Sequence, residues 1–343
     1  MKNLEFRPIK ESETPDLADL FKRNNITFDV NFVIRTLNPL YSSKNLKFGC
    51  FQANKLVGFG ASYFYKASFA GVHSDAATFG FFVIDKPLQG KGIGIRILKE
   101  IIKYLGDNCP VLISDFIDNK LAGKLSPQKR SWVSAIHDYY KDLGYDYKHI
   151  STITPVFRPS GKKLPEISIN ELSSYEVERI SNIYRHGKEV IKFAENFYTR
   201  YYIAELPNEN IMNLLDKDLE QYHWFSIKHH GHTIGYISCY HYPFHKAESI
   251  QNQLHFNHLM VDEVNLPGAV NAVICELEIL GFKPHLYVIN NSSLLDKLFL
   301  NRTGFFPGLS RYDAFLRCSS KDPFIWDKFN NISDKLRFSL TII

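Results

Sequence analysis

The stretch from Phe81 to Leu105, FFVIDKPLQGKGIGIRILKEIIKYL, limits the possible folds of this chain more than any other. Its apolar start, Phe81-Phe82-Val83-Ile84, fits a buried strand, and Gln89-Gly90-Lys91-Gly92-Ile93-Gly94 leads from it into helical period. In the helical part Ile97, Leu98, Ile101, Ile102 and Leu105 share one face, and Arg96, Lys99, Glu100 and Lys103 the other. Gly106 supplies a C-terminal stop. The glycines clear side chains from the first turn, so backbone N–H groups can close on an anion at the positive end of the helix.

Three phosphate-binding loops share this outline. A Walker A loop ends in Gly-Lys-Ser/Thr, whereas Gly90-Lys91 is followed by Gly92. A dinucleotide fingerprint needs its third glycine at Ile95 if it starts at Gly90, or at Ile97 if it starts at Gly92. Neither fits. Gln-x-x-Gly-x-Gly does, at Gln89, Gly92 and Gly94, and it resembles the acyl-CoA pyrophosphate loop of the GNAT superfamily of N-acyltransferases. Tyr140-Lys141-Asp142-Leu143-Gly144-Tyr145 resembles a second signature of that family, Tyr-x-x-x-Gly-Phe.

A chain of 343 residues exceeds what one core usually organises, so two domains are expected. Lys and Arg number 41 against 36 Asp and Glu; the net charge of +5 suits an anionic cofactor, and no Lys/Arg-rich run points to nucleic acid. The five cysteines, Cys50, Cys109, Cys239, Cys275 and Cys318, lack CxxC spacing, which argues against a disulfide framework or a zinc site and fits a reducing cytoplasm. No apolar signal region opens the chain, and no apolar run approaches membrane-spanning length. The expectation is a cytoplasmic protein with no membrane and no nucleic-acid partner.

In chain order, Leu4 to Ile9 reads as a strand, Thr14-Pro15-Asp16 starts a helix, and Phe28 to Leu40 is irregular or helical. Lys47 to Phe51 and Leu56 to Tyr63 form a hairpin, and a loop around Ser68 to Ser74 leads to a strand at Ala76 to Ile84. After Gly106 come a strand at Pro110 to Ser114, a polar stretch from Asp115 to Ser131, a helix at Trp132 to Leu143, and a closing strand or hairpin at Tyr145 to Phe157. This is the GNAT order, and it covers Met1 to Arg158.

The second half reads as a worn copy. Trp224 to Ile227, a turn at His229-His230-Gly231-His232, and Thr233 to Ser238 repeat the hairpin, with Gly235 answering Gly58 at an offset of 177 (235 minus 58). His285 to Ile289 answers Val111 to Ser114, with Ile289 opposite Ile113 at 176 (289 minus 113). Gly304 follows Gly144 by only 160, which places an insertion within Asp115 to Ser131 of the first copy. At the phosphate loop the second copy reads Val261 to Gly268, with Asp262 and Glu263 repelling phosphate, and Leu300 stands at the tyrosine position. The expected fold is α/β, an α+β mixed sheet, as two GNAT-like domains in tandem. Residues 1–158 form the catalytic domain, 159–165 the linker, 166–320 the degenerate domain and 321–343 a tail docking as helix and strand.

The resemblance implies direct transfer of an acyl group from acyl-CoA to an amine in a ternary complex. Acetyl-CoA is the default donor, and a small-molecule or peptide amine the acceptor. It implies that backbone groups near Val83 and Ile84 pair with pantetheine, that a splayed strand near Ser114 makes room for it, and that amides of Gln89, Gly90, Lys91, Gly92, Ile93, Gly94 and Ile95 hold the pyrophosphate. Tyr140 takes the role of general acid to the leaving thiolate. The family's asparagine seven residues before this tyrosine is Val133 here. General-base candidates are His73, Asp75, Asp115, Asp118 and His137. The histidines at 223, 229, 230, 232, 241, 245, 255 and 258 carry no metal-motif spacing, so no metal is expected. The alternatives are a non-catalytic acyl-CoA sensor and a tandem-GNAT aminoacyl transferase using charged tRNA.

Overall fold

The computed structural model describes residues 4–26, 46–69, 71–105, 111–117, 138, 141–142, 145–165, 171–181, 183–199, 203–207, 222–246, 249–290, 297–308, 311–319 and 338–339. The first half supplies β1 (Leu4–Pro8), α1 (Thr14–Arg23), β2 (Leu46–Gln52), β3 (Lys55–Phe69), β4 (Val72–Ile84), α2 (Ile93–Leu105), β5 (Val111–Ile117), β6 (Tyr145–Ile153) and β7 (Val156–Pro159). The second supplies β8 (Tyr175–Arg179), α3 (Ile183–Tyr198), β9 (Ile203–Leu206), β10 (Tyr222–His229), β11 (His232–Lys246), β12 (Ser249–Met260), α4 (Leu266–Ile279), β13 (Leu286–Ile289), α5 (Lys297–Thr303), β14 (Phe306–Pro307), β15 (Arg311–Ser319) and β16 (Phe338–Ser339). Among the described residues no helix is long and apolar enough to cross a membrane.

The first sheet runs β1-β2-β3-β4-β5-β15-β6, with β9 on β3 and β16 on β9; the second runs β14-β7-β13-β12-β11-β10-β8. The first therefore contains three strands of the second half, β9, β15 and β16, and the second contains one of the first half, β7. β15 lies between β5 and β6, antiparallel to both, and β7 lies beside β13 and β14. The stretch expected to close the first copy, Tyr145 to Phe157, thus divides between sheets: β6 stays with its own half and β7 crosses over. Chain halves and sheets do not coincide.

Alternation along β3, reversed at Val57 by a register shift against β2, explains the layering. Phe59, Ala61 and Tyr63 pack with α1 through Leu17, Leu20 and Phe21. Val57 joins Ile93, Ile97 and Ile101 of α2 on the other face. Gly58 and Gly60 let α2 come close: a Cβ on Gly60 would lie 2.7 Å from both Ile97 and Phe82. Both faces are covered, so β3 reads as a nearly continuous buried run.

Two expectations change. No loop spans Ser68 to Ser74, because β3 continues to Phe69 and β4 starts at Val72, with Gly71 at φ +83°. β5 runs past Ser114 to Ile117, held by β15. Of the tail, Phe338–Ser339 is a strand paired with β9. Phe28 to Leu40 and most of the helix read at Trp132 to Leu143 lie outside the described residues.

The crossed strand β7 is pinned by a buried arginine. Arg158, 2% exposed, donates through Nη1 to the Thr303 carbonyl at 3.2 Å and to Asn271 Oδ1 at 3.4 Å, and through Nη2 to the Lys162 carbonyl at 2.6 Å. It ties β7 to α4 and α5. Burial pushes its pKa down from the usual arginine value. Arg158→Ala would strand three acceptors and leave a cavity, so urea denaturation should show about 3 kcal/mol less stability.

Candidate acyl-CoA site

The site begins where β4 bulges. Phe59 pairs with Val83 and Ala61 with Gly80, so β4 carries one residue more than β3 across this step. The ladder from β4 to β5 consists of Ala77↔Val111 and Thr78↔Leu112 among the described pairings. Beyond it β4 continues to Ile84 against β3, while β5 continues to Ile117 against β15. The two parallel strands part toward their C-terminal ends. Open α/β sheets place ligands outside such carboxyl ends.

From Ile84 the chain passes through Asp85 and a 3-10 turn, Lys86–Leu88, into the glycines and α2. Gly90 and Gly92 take φ +74° and +76°, and a Cβ at either would meet open space. Glycine is therefore required there for backbone conformation, not for room. The first N–H groups of α2 have no intrahelical partner, and the helix dipole adds positive charge at that end. Gly92, Ile95, Arg96, Lys99, Glu100 and Lys103 line a shallow depression of about 390 Å³ beside it. Its basic side includes Arg96, whose guanidinium lies 4.1 Å over the Phe6 ring. Lys103 pairs with Glu100 at 2.9 Å.

The expected site residues divide into three groups. Gly90, Lys91, Gly92, Ile93, Gly94 and Ile95 form the loop and first turn as anticipated. Gln89 adjoins them, but its side chain turns back to donate to the Ile84 carbonyl at 2.9 Å, so the side chain braces the loop and engages one of the backbone groups expected to face pantetheine. The Val83 side chain is buried against the α1 core. Ser114 lies on β5 opposite Ala314, past the end of the β4–β5 ladder. Tyr140, like Asp118 and His137, lies outside the described residues. His73 is exposed, and Asp75 pairs with Lys66 at 2.5 Å.

The second copy repeats the bulge. Ile237 pairs with Leu259 and Cys239 with Phe256, so β12 follows β4 at a constant 176 (259 minus 83, 256 minus 80) and β11 follows β3 at 178 (237 minus 59). Counted from the hairpin turns, Gly235 answers Gly58 at 177, as Ile227 answers Cys50 (227 minus 50), so the bulge of the second copy lies one residue further along its strand. The start of the equivalent helix, α4, is covered. Tyr175 packs so tightly on Gly268 that a Cβ there would lie 2.4 Å from its ring, and its hydroxyl donates to Asn265 Oδ1 at 3.2 Å. Leu266 through Ile274 of α4 are all buried.

The histidines divide between an exposed turn and the second core. His229, His230 and His232 lie at the β10–β11 turn, with Gly231 at φ +78°. His258 Nδ1 lies 3.0 Å from the Tyr198 hydroxyl and its ring stacks on Trp224. Burial lowers the pKa of His258 to about 4, and of His223 and His255 to about 3. Among the described residues no three His, Cys, Asp or Glu side chains come together as a metal site.

No family model and no curated protein matches the sequence. Solved structures match the fold. Saccharomyces cerevisiae N-myristoyltransferase with bound myristoyl-CoA is similar at a TM-score of 0.64 and 14% identity, over 100% of this chain and 85% of that one. A GCN5-related N-acetyltransferase from Anabaena variabilis is similar at 0.57 and 11%, over 93% of this chain and 74% of that one. Another from Kribbella flavida is similar at 0.54 and 10%, over 92% and 71%. The fold is the GNAT fold, in the two-copy arrangement.

Gly60→Ala tests the packing that sets the bulge. Its Cβ would press on Phe82 and Ile97 at 2.7 Å, and thermal unfolding should show a loss of about 1–3 kcal/mol.

Proposed function

We propose that the chain is an acyl-CoA-dependent N-acyltransferase whose first half, residues 1–158, holds the donor, and whose second half, 166–320, is a structural copy without a donor site. The observation that carries this reading is the contrast between equivalent places. α2 opens on two positive-φ glycines at the end of a bulged, parting strand, whereas α4 opens under Tyr175. The similarity to acyltransferases supports acyl transfer in general. The free thiols of Cys50, Cys239 and Cys275 suit a reducing compartment such as the cytoplasm.

In this reading the N–H groups of residues 90–95 bind the pyrophosphate and pantetheine lies where β4 and β5 part. The acceptor amine, after losing a proton, attacks the thioester carbonyl. The C–N bond forms, the C–S bond breaks, and the thiolate leaves with a proton. The Tyr140 phenol, with a reference pKa of about 10, can supply that proton to a thiolate whose acid has a reference pKa of about 8.5. The acceptor is a small-molecule or peptide amine. Acetyl-CoA is the donor read from the sequence; a chain as long as myristoyl is the alternative that the yeast enzyme's ligand raises.

Calorimetric titration with acetyl-CoA and with myristoyl-CoA should show one site per chain, and the tighter ligand fixes the chain length. Absence of binding by both withdraws the enzyme reading. Gly92→Glu should reduce affinity at least tenfold by placing a carboxylate against the phosphates and straining a positive-φ position. Tyr140→Phe should lower turnover about 10²-fold or more with little change in acyl-CoA affinity; an unchanged rate removes Tyr140 from the mechanism.

A further inference from the structure

The phosphate loop is anchored upstream through one carboxylate. Asp85, the residue after β4, has a side chain 15% exposed. Its Oδ1 accepts from Asn24 Nδ2 at 2.8 Å and from Arg23 Nε at 3.4 Å, and its Oδ2 accepts from Arg23 Nη2 at 3.2 Å. That Nη2 also donates to the Leu56 carbonyl at 2.7 Å. The Asp85 N–H donates to the Val57 carbonyl at 2.9 Å, and the Asp85 carbonyl accepts from the Leu88 N–H at 2.8 Å. One residue thus joins α1, the β2–β3 hairpin and the turn that delivers Gln89.

Helix polarity makes this contact specific. Arg23 ends α1 and Asn24 caps it, so Asp85 sits at the negative end of a helix, where a carboxylate is unfavourable unless a cation and a donor offset it. Arg23 and Asn24 provide both. They also neutralise an anion a few residues from the phosphate-binding N–H groups, which would otherwise repel the ligand.

We propose that Asp85, gripped by Arg23 and Asn24, is a positioning residue for the donor loop: it fixes where β4 ends and so where the N–H groups of residues 90–95 point. This rests on the acyl-CoA reading of that loop. Asp85 touches no ligand; it acts through Lys86–Gln89.

The test uses the full chain with Arg23→Met, Asp85→Ala, the double variant and Arg23→Lys. Two quantities are measured: affinity for coenzyme A, the part common to every acyl-CoA donor, and amide hydrogen exchange of residues 86–94 without ligand. Each single variant should bind coenzyme A about tenfold more weakly, as loss of a charge-assisted contact predicts. The double variant should lose less than the sum of the two single losses, because both remove the Arg23–Asp85 contact. Arg23→Lys should recover part of the affinity by keeping the charge while losing the fork. Exchange at 86–94 should quicken in the single variants while exchange in β10–β12 stays as in the parent. Variants that melt earlier yet keep the parent's affinity and loop exchange would make the contact merely structural and overturn the proposal. If the parent binds no coenzyme A, the acyl-CoA reading fails by itself, and loop exchange alone decides whether Asp85 holds the loop.

Discussion

The reciprocal exchange of β7 and β15 is the constraint on which the rest of the structure depends. Without β15, β5 and β6 would each lose their antiparallel partner and leave open edges in the first sheet. Without β7, β13 would lose its partner on that side and Arg158 would have no strand to occupy. Neither sheet is complete from its own half, and Ala204 and Leu206 of β9, a strand of the first sheet, pack in the same hydrophobic cluster as strands of the second. After β5 leaves β4 at Thr78↔Leu112, β15 on its other edge keeps it in the sheet as far as Ile117.

Within that frame the two copies keep the same backbone and fill it differently. α2 buries one stripe and leaves Arg96, Lys99 and Lys103 outside, so its first turn is open to an anion. α4 is buried from Leu266 to Ile274, and a helix end enclosed in that way must satisfy its own polar groups. The Asp262 carbonyl accepts from the N–H groups of Asn265 and Leu266, and the Asn265 side chain accepts from Tyr175. The second helix is spent on cohesion.

Much of this was legible because it depends on local rules. Apolar spacing from Ile93 to Leu105, the Pro15 start of α1 and the turn around His230-Gly231 each predict their own element, and each is found. The loop glycines were legible for the same reason, since positive φ leaves a trace in residue type. What could not be read is long-range. β7 carries no sign that its partner is β13, and the bulge in β4 is visible only once Val83 and Gly80 are counted against Phe59 and Ala61. The inward turn of the Gln89 side chain depends on the Ile84 carbonyl, which no motif specifies. The plug was missed because Tyr175 lies 90 residues before Asn265.

The repeated bulge gives the sharpest contrast between the copies. In the second, the bulged residue His258 donates its backbone N–H to Ser238 Oγ at 3.1 Å, and its ring is held by Tyr198 and Trp224. At the offsets set by strand register, 176 for the bulged strand and 178 for its neighbour, the first copy has Phe82 at the position of His258 and Gly60 at the position of Ser238. A serine consumes the bulge amide in one copy; a glycine offers no hydroxyl to consume it in the other. The substitution of one small residue for another at a cross-strand position, with the backbone kept, therefore changes what the bulge is used for: in the second copy Ser238 ties it to the packing of His258 with Tyr198 and Trp224, and in the first Gly60 leaves room for Ile97 of α2.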